Sequence, residues 1–315
     1  MDPLAVHMYL TPVCNLACTH CYYDAKGIND EPGPILTIEE SVRAIDWLCS
    51  RFGADLHLEG GELFLRPDID EILAALPQRC LSSLTLTTSG TVAIRVRPDL
   101  LKKLGDLRIS VEGHTDALQR IMRPANLSRV RRTLEELRSM DVPFTLRITL
   151  FRANVPHIRE MLQAFSEWGA TRLSFFEFQS SGRGIEHADE YGLVDSMFDD
   201  ALSAFAQSPP PSQIRLLKIS LNQSREAAAE KALRAMEPLG FRKLSFSGIP
   251  NLTINSNGDL GVSPWEATAH ALKDRFANLR EVDFATEVDR QWKLGSLHAN
   301  CEHTSSVQLR YERPN

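Results

Sequence analysis

Three cysteines, Cys14, Cys18 and Cys21, fall within eight residues in Val13-Cys14-Asn15-Leu16-Ala17-Cys18-Thr19-His20-Cys21-Tyr22. A loop this short can wrap three thiolates around one face of a metal centre. Zinc in a closed structural site takes four protein ligands, and no fourth cysteine is near, although His20 could serve. A cubane iron-sulfur cluster also needs four ligands, so three cysteines leave one iron open to a small molecule. The plain alternative is a set of buried thiols or a zinc knuckle. Cys49, Cys80 and Cys301 stand alone, so the six thiols lack the spacing of a disulfide framework and fit a reducing compartment.

Further along, paired glycines in Leu58-Glu59-Gly60-Gly61-Glu62 let the backbone approach a ligand closely, and Glu62 can accept from an ammonium group. Polar residues also close two later apolar runs, as Thr87-Thr88-Ser89-Gly90 and Ser110-Val111-Glu112-Gly113, with Arg123 following.

The elements that position these groups alternate between short apolar runs and amphipathic stretches, the mark of repeated βα units with parallel strands. Strands are expected at Val6 to Leu10, Asp55 to Leu58, Ser83 to Thr87, Leu107 to Val111, Phe144 to Leu150 and Arg172 to Phe178. Active sites of such folds collect just past the carboxyl ends of the strands, where the cysteines and the glycine and serine turns fall. Helix signals are Thr37 ahead of Glu39-Glu40, Arg66-Pro67-Asp68 ahead of Ile69, Ile72, Leu73 and Leu76, and stretches from Ser128 to Met140 and Val155 to Trp168. The fold class predicted is α/β, an open or partial barrel of six βα units over 1–208, with a smaller α+β extension over 209–315 after Ser208-Pro209-Pro210-Pro211-Ser212. Within the extension, Asn251 to Ile254 and Leu260 to Val262 flank a turn with Gly258.

Composition narrows the partners. The 315 residues are 43% hydrophobic and 24% charged, near the globular average, and carry a net charge of -6, which gives no field to attract nucleic acid. No basic and apolar leader opens the chain and no uncharged run approaches the roughly 20 residues that cross a bilayer, so the expectation is a cytoplasmic protein without a membrane partner.

The cysteine segment resembles the radical S-adenosylmethionine (SAM) superfamily, whose motif is Cys, three residues, Cys, two residues, Cys. His20 takes the aromatic place before the third cysteine, and Asn15 and Tyr22 are usual there. Gly60-Gly61-Glu62 resembles the family's motif for the methionyl amino group. The resemblance implies a partial (β/α)6 barrel, one [4Fe-4S] cluster on Cys14, Cys18 and Cys21, and SAM held by His20, Gly60, Gly61, Glu62, Ser89, Ser110 and Arg123. Ser89 and Ser110 would meet ribose or carboxylate, and Arg123 the carboxylate; Ser89 departs from the usual Asn. Reductive cleavage of SAM and hydrogen abstraction from substrate would follow, with flavodoxin or ferredoxin as electron donor.

The extension resembles, more faintly, the SPASM or twitch domain that binds auxiliary clusters in many relatives. Ser263 stands where a cysteine is usual, and Cys301-Glu302-His303-Thr304 keeps only the first cysteine of a pair. One cysteine cannot hold a second cluster by thiolate ligation alone, so a single cluster and a redox-neutral outcome such as epimerisation are expected. Cys301 is then the candidate catalytic hydrogen donor, since Cys49 and Cys80 read as core. The chain opens directly at its first strand, which favours a small natural product such as a sugar, aminoglycoside or amino-acid derivative. The alternative is a ribosomal-peptide maturase that crosslinks or epimerises a residue. A non-catalytic cluster-binding module is the third reading.

Overall fold

Apolar residues recur at every second position in most strands, and in the computed structural model this alternation sorts side chains to two faces of one sheet. The structure describes residues 4–246, 249–298 and 306–313. Its strands are β1 (Ala5–Tyr9), β2 (Val13–Cys14), β3 (Lys26–Gly27), β4 (Asp55–Glu59), β5 (Leu84–Thr88), β6 (Asp106–Ser110) and β7 (Thr145–Leu150). They continue with β8 (Arg172–Glu177), β9 (Leu216–Asn222), β10 (Phe241–Phe246), β11 (Asn251–Ile254), β12 (Asp259–Gly261), β13 (Ala277–Asn278) and β14 (Ser306–Glu312).

β1, β4, β5, β6, β7 and β8 are parallel neighbours in chain order, the six βα units read from the sequence. The later strands extend the same sheet at both edges. β9 joins β8 in parallel with β14 and β10 antiparallel beyond it, while β11 pairs in parallel with β1 and leads into β12 and β13. β2 and β3 pair separately. The β11–β12 hairpin forms about the expected turn, where Gly258 has a φ of 90° that a side chain would strain.

One face of the sheet is apolar. Leu56, Leu58, Leu107, Ile109, Leu146 and Ile148 are almost fully buried in one core with Ile45 and Leu48 of the helix Ile38–Phe52 and Leu134 and Leu137 of Leu127–Ser139. Each such side chain contributes roughly 1.5–3 kcal/mol by leaving water. The alternate positions carry charge: Asp55, His57, Glu59, Arg108, Arg147 and Lys218 line one cavity of about 370 Å³. The sheet curls around this lumen, because His7 of β1 and Gln308 of β14 line it as well.

Helix Ile38–Phe52 starts where Thr37 predicts. Thr37 Oγ1 accepts from the Glu40 amide at 3.1 Å and Glu40 Oε2 accepts from the Thr37 amide at 2.9 Å. Glu40 also takes two bonds of 2.7 Å from Arg280, which fastens this helix start to the chain after β13. The Arg280 bond is the main reason the Glu40 carboxyl is lowered to about 2. A carboxyl depressed in the fold stabilises fully above its unfolded value of roughly 4.3 and loses that contribution as pH falls toward 2. Glu40→Gln should therefore melt below the parent at pH 6, and the gap in melting temperature, followed by circular dichroism, should close as pH falls from 5 to 2.

Candidate active site

Protein contacts hold the cysteine loop from three sides. On the first side, Gly61 N donates to Thr11 O at 2.8 Å and Glu62 N to Val13 O at 2.9 Å, so the turn after β4 lies directly on the strand entering the loop. A Cβ on Gly60 would stand 2.5 Å from the Thr11 carbonyl oxygen, and one on Gly61 2.1 Å from that of Val13. The paired glycines are required for this approach. On the second side, the helix Asp116–Met122 ends against the loop, with Thr19 N donating to Met122 O at 2.9 Å.

The third side is Arg183, which sequence reasoning missed. Its amide donates to Cys21 O at 3.0 Å, its Nε to Cys18 O at 3.0 Å, and its Nη1 to Asp24 Oδ1 at 2.8 Å and Ala25 O at 3.0 Å. Gly182 beside it has a φ of 54°, and a Cβ there would lie 2.3 Å from Tyr22 O. No spacing signal links residues this far apart in the chain.

Within this frame a cavity of about 120 Å³ is lined by Cys14, Cys18, Cys21, His20, Gly60 and Gly61, together with Ser89, Ser110 and Arg123. Nine of the residues read from the sequence are thus brought to one place. Glu62 lies just behind the wall: Thr88 Oγ1 donates to its Oε1 at 2.7 Å, and the amide and hydroxyl of Ser89 donate to its Oε2 at 2.8 and 2.6 Å. The Ser89 hydroxyl is also 2.8 Å from that of Thr91. Cys301 lies outside the described residues.

Glu112 organises the electrostatics, a second group that sequence reasoning passed over. Its side chain is 1% exposed; Oε1 accepts from Arg123 Nη2 at 2.9 Å and lies 3.1 Å from His20 Nε2, and Oε2 accepts from the Thr149 amide at 2.9 Å. Burial raises its carboxyl, but His20, Arg123 and that amide outweigh burial and bring it to about 2. Arg123 Nη1 also reaches Cys18 Sγ at 3.4 Å. The thiols go the other way, burial pushing Cys14 up to about 11 and Cys18 to about 12. Thiolates here need a compensating cation, which an iron cluster supplies. Thr87 Oγ1 and Arg123 Nε, both on residues of the cavity wall, are buried without partners among the described residues, as a polar ligand would require. The residues present fit a cluster and a polar cofactor.

Behind this cavity lies the lumen, and His20, Tyr22, Glu59, Arg147 and Thr149 line both. The Tyr22 hydroxyl donates to Glu59, and His7 and Arg147 stand 3.6 and 3.9 Å from that carboxylate. Burial acts against the Glu59 anion, yet His7, Arg147 and His57 hold its carboxyl well below the usual range. Phe176 is a wall of this lumen under the Arg147 guanidinium, 4.6 Å away, and Phe175 is core.

Comparison with known proteins places the chain in a family. The radical SAM superfamily model matches residues 8–165, and the chain belongs to that superfamily, whose enzymes bind a [4Fe-4S] cluster and SAM. The AdoMet-dependent heme synthase of Methanosarcina barkeri is 29% identical over 221 residues, 68% of this chain and 61% of that one. The PqqA peptide cyclase of Granulibacter bethesdensis is 25% identical over 191 residues, 59% of this chain and 50% of that one. The chain thus spans less than two thirds of these relatives. Among solved structures, Streptococcus suis SuiB bound to precursor peptide SuiA superposes with a TM-score of 0.69 at 15% identity, over 96% of this chain and 67% of that one. Among the described residues no helix is long and apolar enough to cross a membrane.

Removing one partner of a buried ion pair leaves the other uncompensated, at a cost of about 3–5 kcal/mol. Arg123→Met should lose about that much in urea unfolding. Adding Glu112→Gln should restore at least half of it, a coupling that independent sites would not show.

Proposed function

We propose that this radical SAM enzyme modifies a peptide, with one [4Fe-4S] cluster on Cys14, Cys18 and Cys21 and SAM against Gly60-Gly61, Ser89, Ser110 and Arg123. The observation that carries the reading is the pair of adjoining cavities, the cysteines in one and a charged lumen in the other, sharing His20, Tyr22, Glu59, Arg147 and Thr149. Peptide rather than free metabolite is supported by the sequence relationship to a PqqA peptide cyclase and by the peptide-bound fold neighbour. A small natural product is the second reading, favoured by a lumen of about 370 Å³, the size of one small ligand.

When bound, cluster and SAM supply a strongly hydrogen-abstracting radical. The chain's part is to position. Arg123, pinned by Glu112, presents its guanidinium beside Cys18 in a fixed orientation. Trp265 packs edge-on against Tyr22 at 5.4 Å and forms part of the lumen wall on the side of the extension, next to the cofactor cavity.

The single-cluster reading has support in the extension. Ser263 replaces a usual cysteine, is buried, and donates its amide to Asp274 Oδ2 at 2.7 Å. A redox-neutral outcome then calls for a thiol to return hydrogen. Cys49 stands 3.6 Å from the Ser83 hydroxyl and Cys80 3.7 Å from Asp46 Oδ1, and neither lines the cofactor cavity or the lumen. Cys301 is left for that role.

Anaerobic reconstitution with iron and sulfide analysis should give about four irons per chain, and dithionite with SAM should yield 5'-deoxyadenosine. Cys14→Ala, Cys18→Ala and Cys21→Ala should each abolish that product. About eight irons would overturn the single cluster. A short peptide that copurifies and changes mass on turnover would decide for the peptide reading, and turnover of small metabolites alone would decide against it.

A further inference from the structure

The lumen is not neutral along its length. Toward the strand starts, Arg108, Arg172, Arg310 and Asp106 stand around Lys218, and the Asp106 carboxylate is already bound by Arg108 Nε at 2.9 Å, Arg172 Nη2 at 3.3 Å and Thr145 Oγ1 at 2.7 Å. The other carboxylates nearby are engaged as well. Asp55 stands 3.5 Å from His57 Nε2, and Glu312 accepts from both Arg310 and Arg242.

Lys218 is the cation left over. It projects from β9 into the lumen, level with Ser174 on one side and Arg310 on the other. Among the described residues it makes no hydrogen bond or ion pair, while Arg172 Nε and Arg310 Nε nearby are buried without acceptors. Burial, then Arg108 and Arg310, hold its ammonium below its ordinary pKa, with Asp106 opposing. A half-buried ammonium among like charges costs stability, and a methionine would fill the space without that cost. A group kept at such a position is explained by a ligand that supplies the missing anion.

We propose that Lys218, with Arg108 beside it, anchors a carboxylate of the substrate at the far end of the lumen from the cysteines. This rests on reading the lumen as the substrate cavity of a peptide-modifying enzyme. The carboxylate comes either from an acidic side chain or from a chain end, and both sources present the same group to the ammonium. An extended substrate so anchored lies along the lumen with its reacting carbon toward Tyr22 and His20, which border the cofactor cavity.

The test uses the whole chain, cluster reconstituted and SAM present, titrated calorimetrically with N-acetylglutamate N-methylamide, its glutamine counterpart, N-acetylalanine and inorganic phosphate. At least one carboxylate probe should bind tenfold or more tighter than the glutamine probe, and the tighter of the two names the source. Lys218→Met should erase that preference, with unchanged iron content and a melting temperature no lower than the parent's. Lys218→Arg should keep it. If Lys218→Met does not fold, Lys218→Gln serves the same comparison. Binding of both carboxylate probes no tighter than the glutamine probe, or a preference that survives Lys218→Met or Lys218→Gln, overturns the proposal. Phosphate binding tighter than either carboxylate also overturns it, in favour of a phosphorylated small molecule. Failure of the underlying enzyme reading would show separately, as missing iron or missing 5'-deoxyadenosine in the unsubstituted protein.

Discussion

The cysteine loop depends on one buried carboxylate. Glu112, at the carboxyl end of β6, is a charge out of water whose cost is met only if all its partners stay in place. Those partners come from three elements: Arg123 at the end of the helix Asp116–Met122, His20 in the cysteine loop, and the Thr149 amide of β7. Its own backbone is fixed too, its amide donating to Gln119 Oε1 at 2.7 Å and its carbonyl accepting from Asn154 Nδ2 at 3.1 Å. A shift of the loop would strand His20 and Arg123 against an unpaired carboxylate in low dielectric. Protein contacts from three elements thus bear on the loop's geometry.

The same view gives the last third of the chain a packing role beside the cysteine loop. Tyr23, two residues after the third cysteine, stacks on Tyr9 at 4.2 Å, donates its hydroxyl to Asn255 at 2.8 Å, and accepts at its carbonyl from the Ala269 amide at 2.7 Å. Ser181, beside the Gly182-Arg183 clamp, donates to the Trp265 carbonyl at 2.9 Å. Asn255, Trp265 and Ala269 all belong to the extension. Its strands β11 and β14 flank the lumen, so without it the cysteine loop would lose a packing face and the lumen two of its walls. The extension is structural here in a sense that does not depend on ligating anything.

Much of this was legible in the sequence because it is local. The six parallel strands fall within one residue of where alternation and turn residues place them, and the Thr37 cap and the Gly258 hairpin follow from residue types a few positions apart. The cysteines, Gly60-Gly61, Ser89 and Ser110 were legible for a related reason: each closes or follows a strand's carboxyl end, and parallel order brings those ends together. Arg183 and Glu112 were not, because their roles arise from contacts across the chain, 165 residues in the case of Arg183 with Cys18.

The lumen is the instructive case, since its signal is present in the sequence as alternation within its strands. Asp55-Leu56-His57-Leu58-Glu59, Asp106-Leu107-Arg108-Ile109-Ser110 and Lys218-Ile219-Ser220-Leu221-Asn222 alternate strictly. Period two marks a strand with one apolar face but leaves open whether the polar face meets bulk water or an enclosed space. What distinguishes the two is the other covering. A parallel strand in βα units has its apolar face under helices, so its second face can only turn inward, toward its partners around the curl. Charged residues at alternate positions of several consecutive parallel strands therefore mean a polar interior, and the sign pattern along it is a reading of the substrate before any ligand is seen. Here the pattern runs from Glu59, already matched by Tyr22, His7 and Arg147 beside the cofactor cavity, to an excess of cations around Lys218.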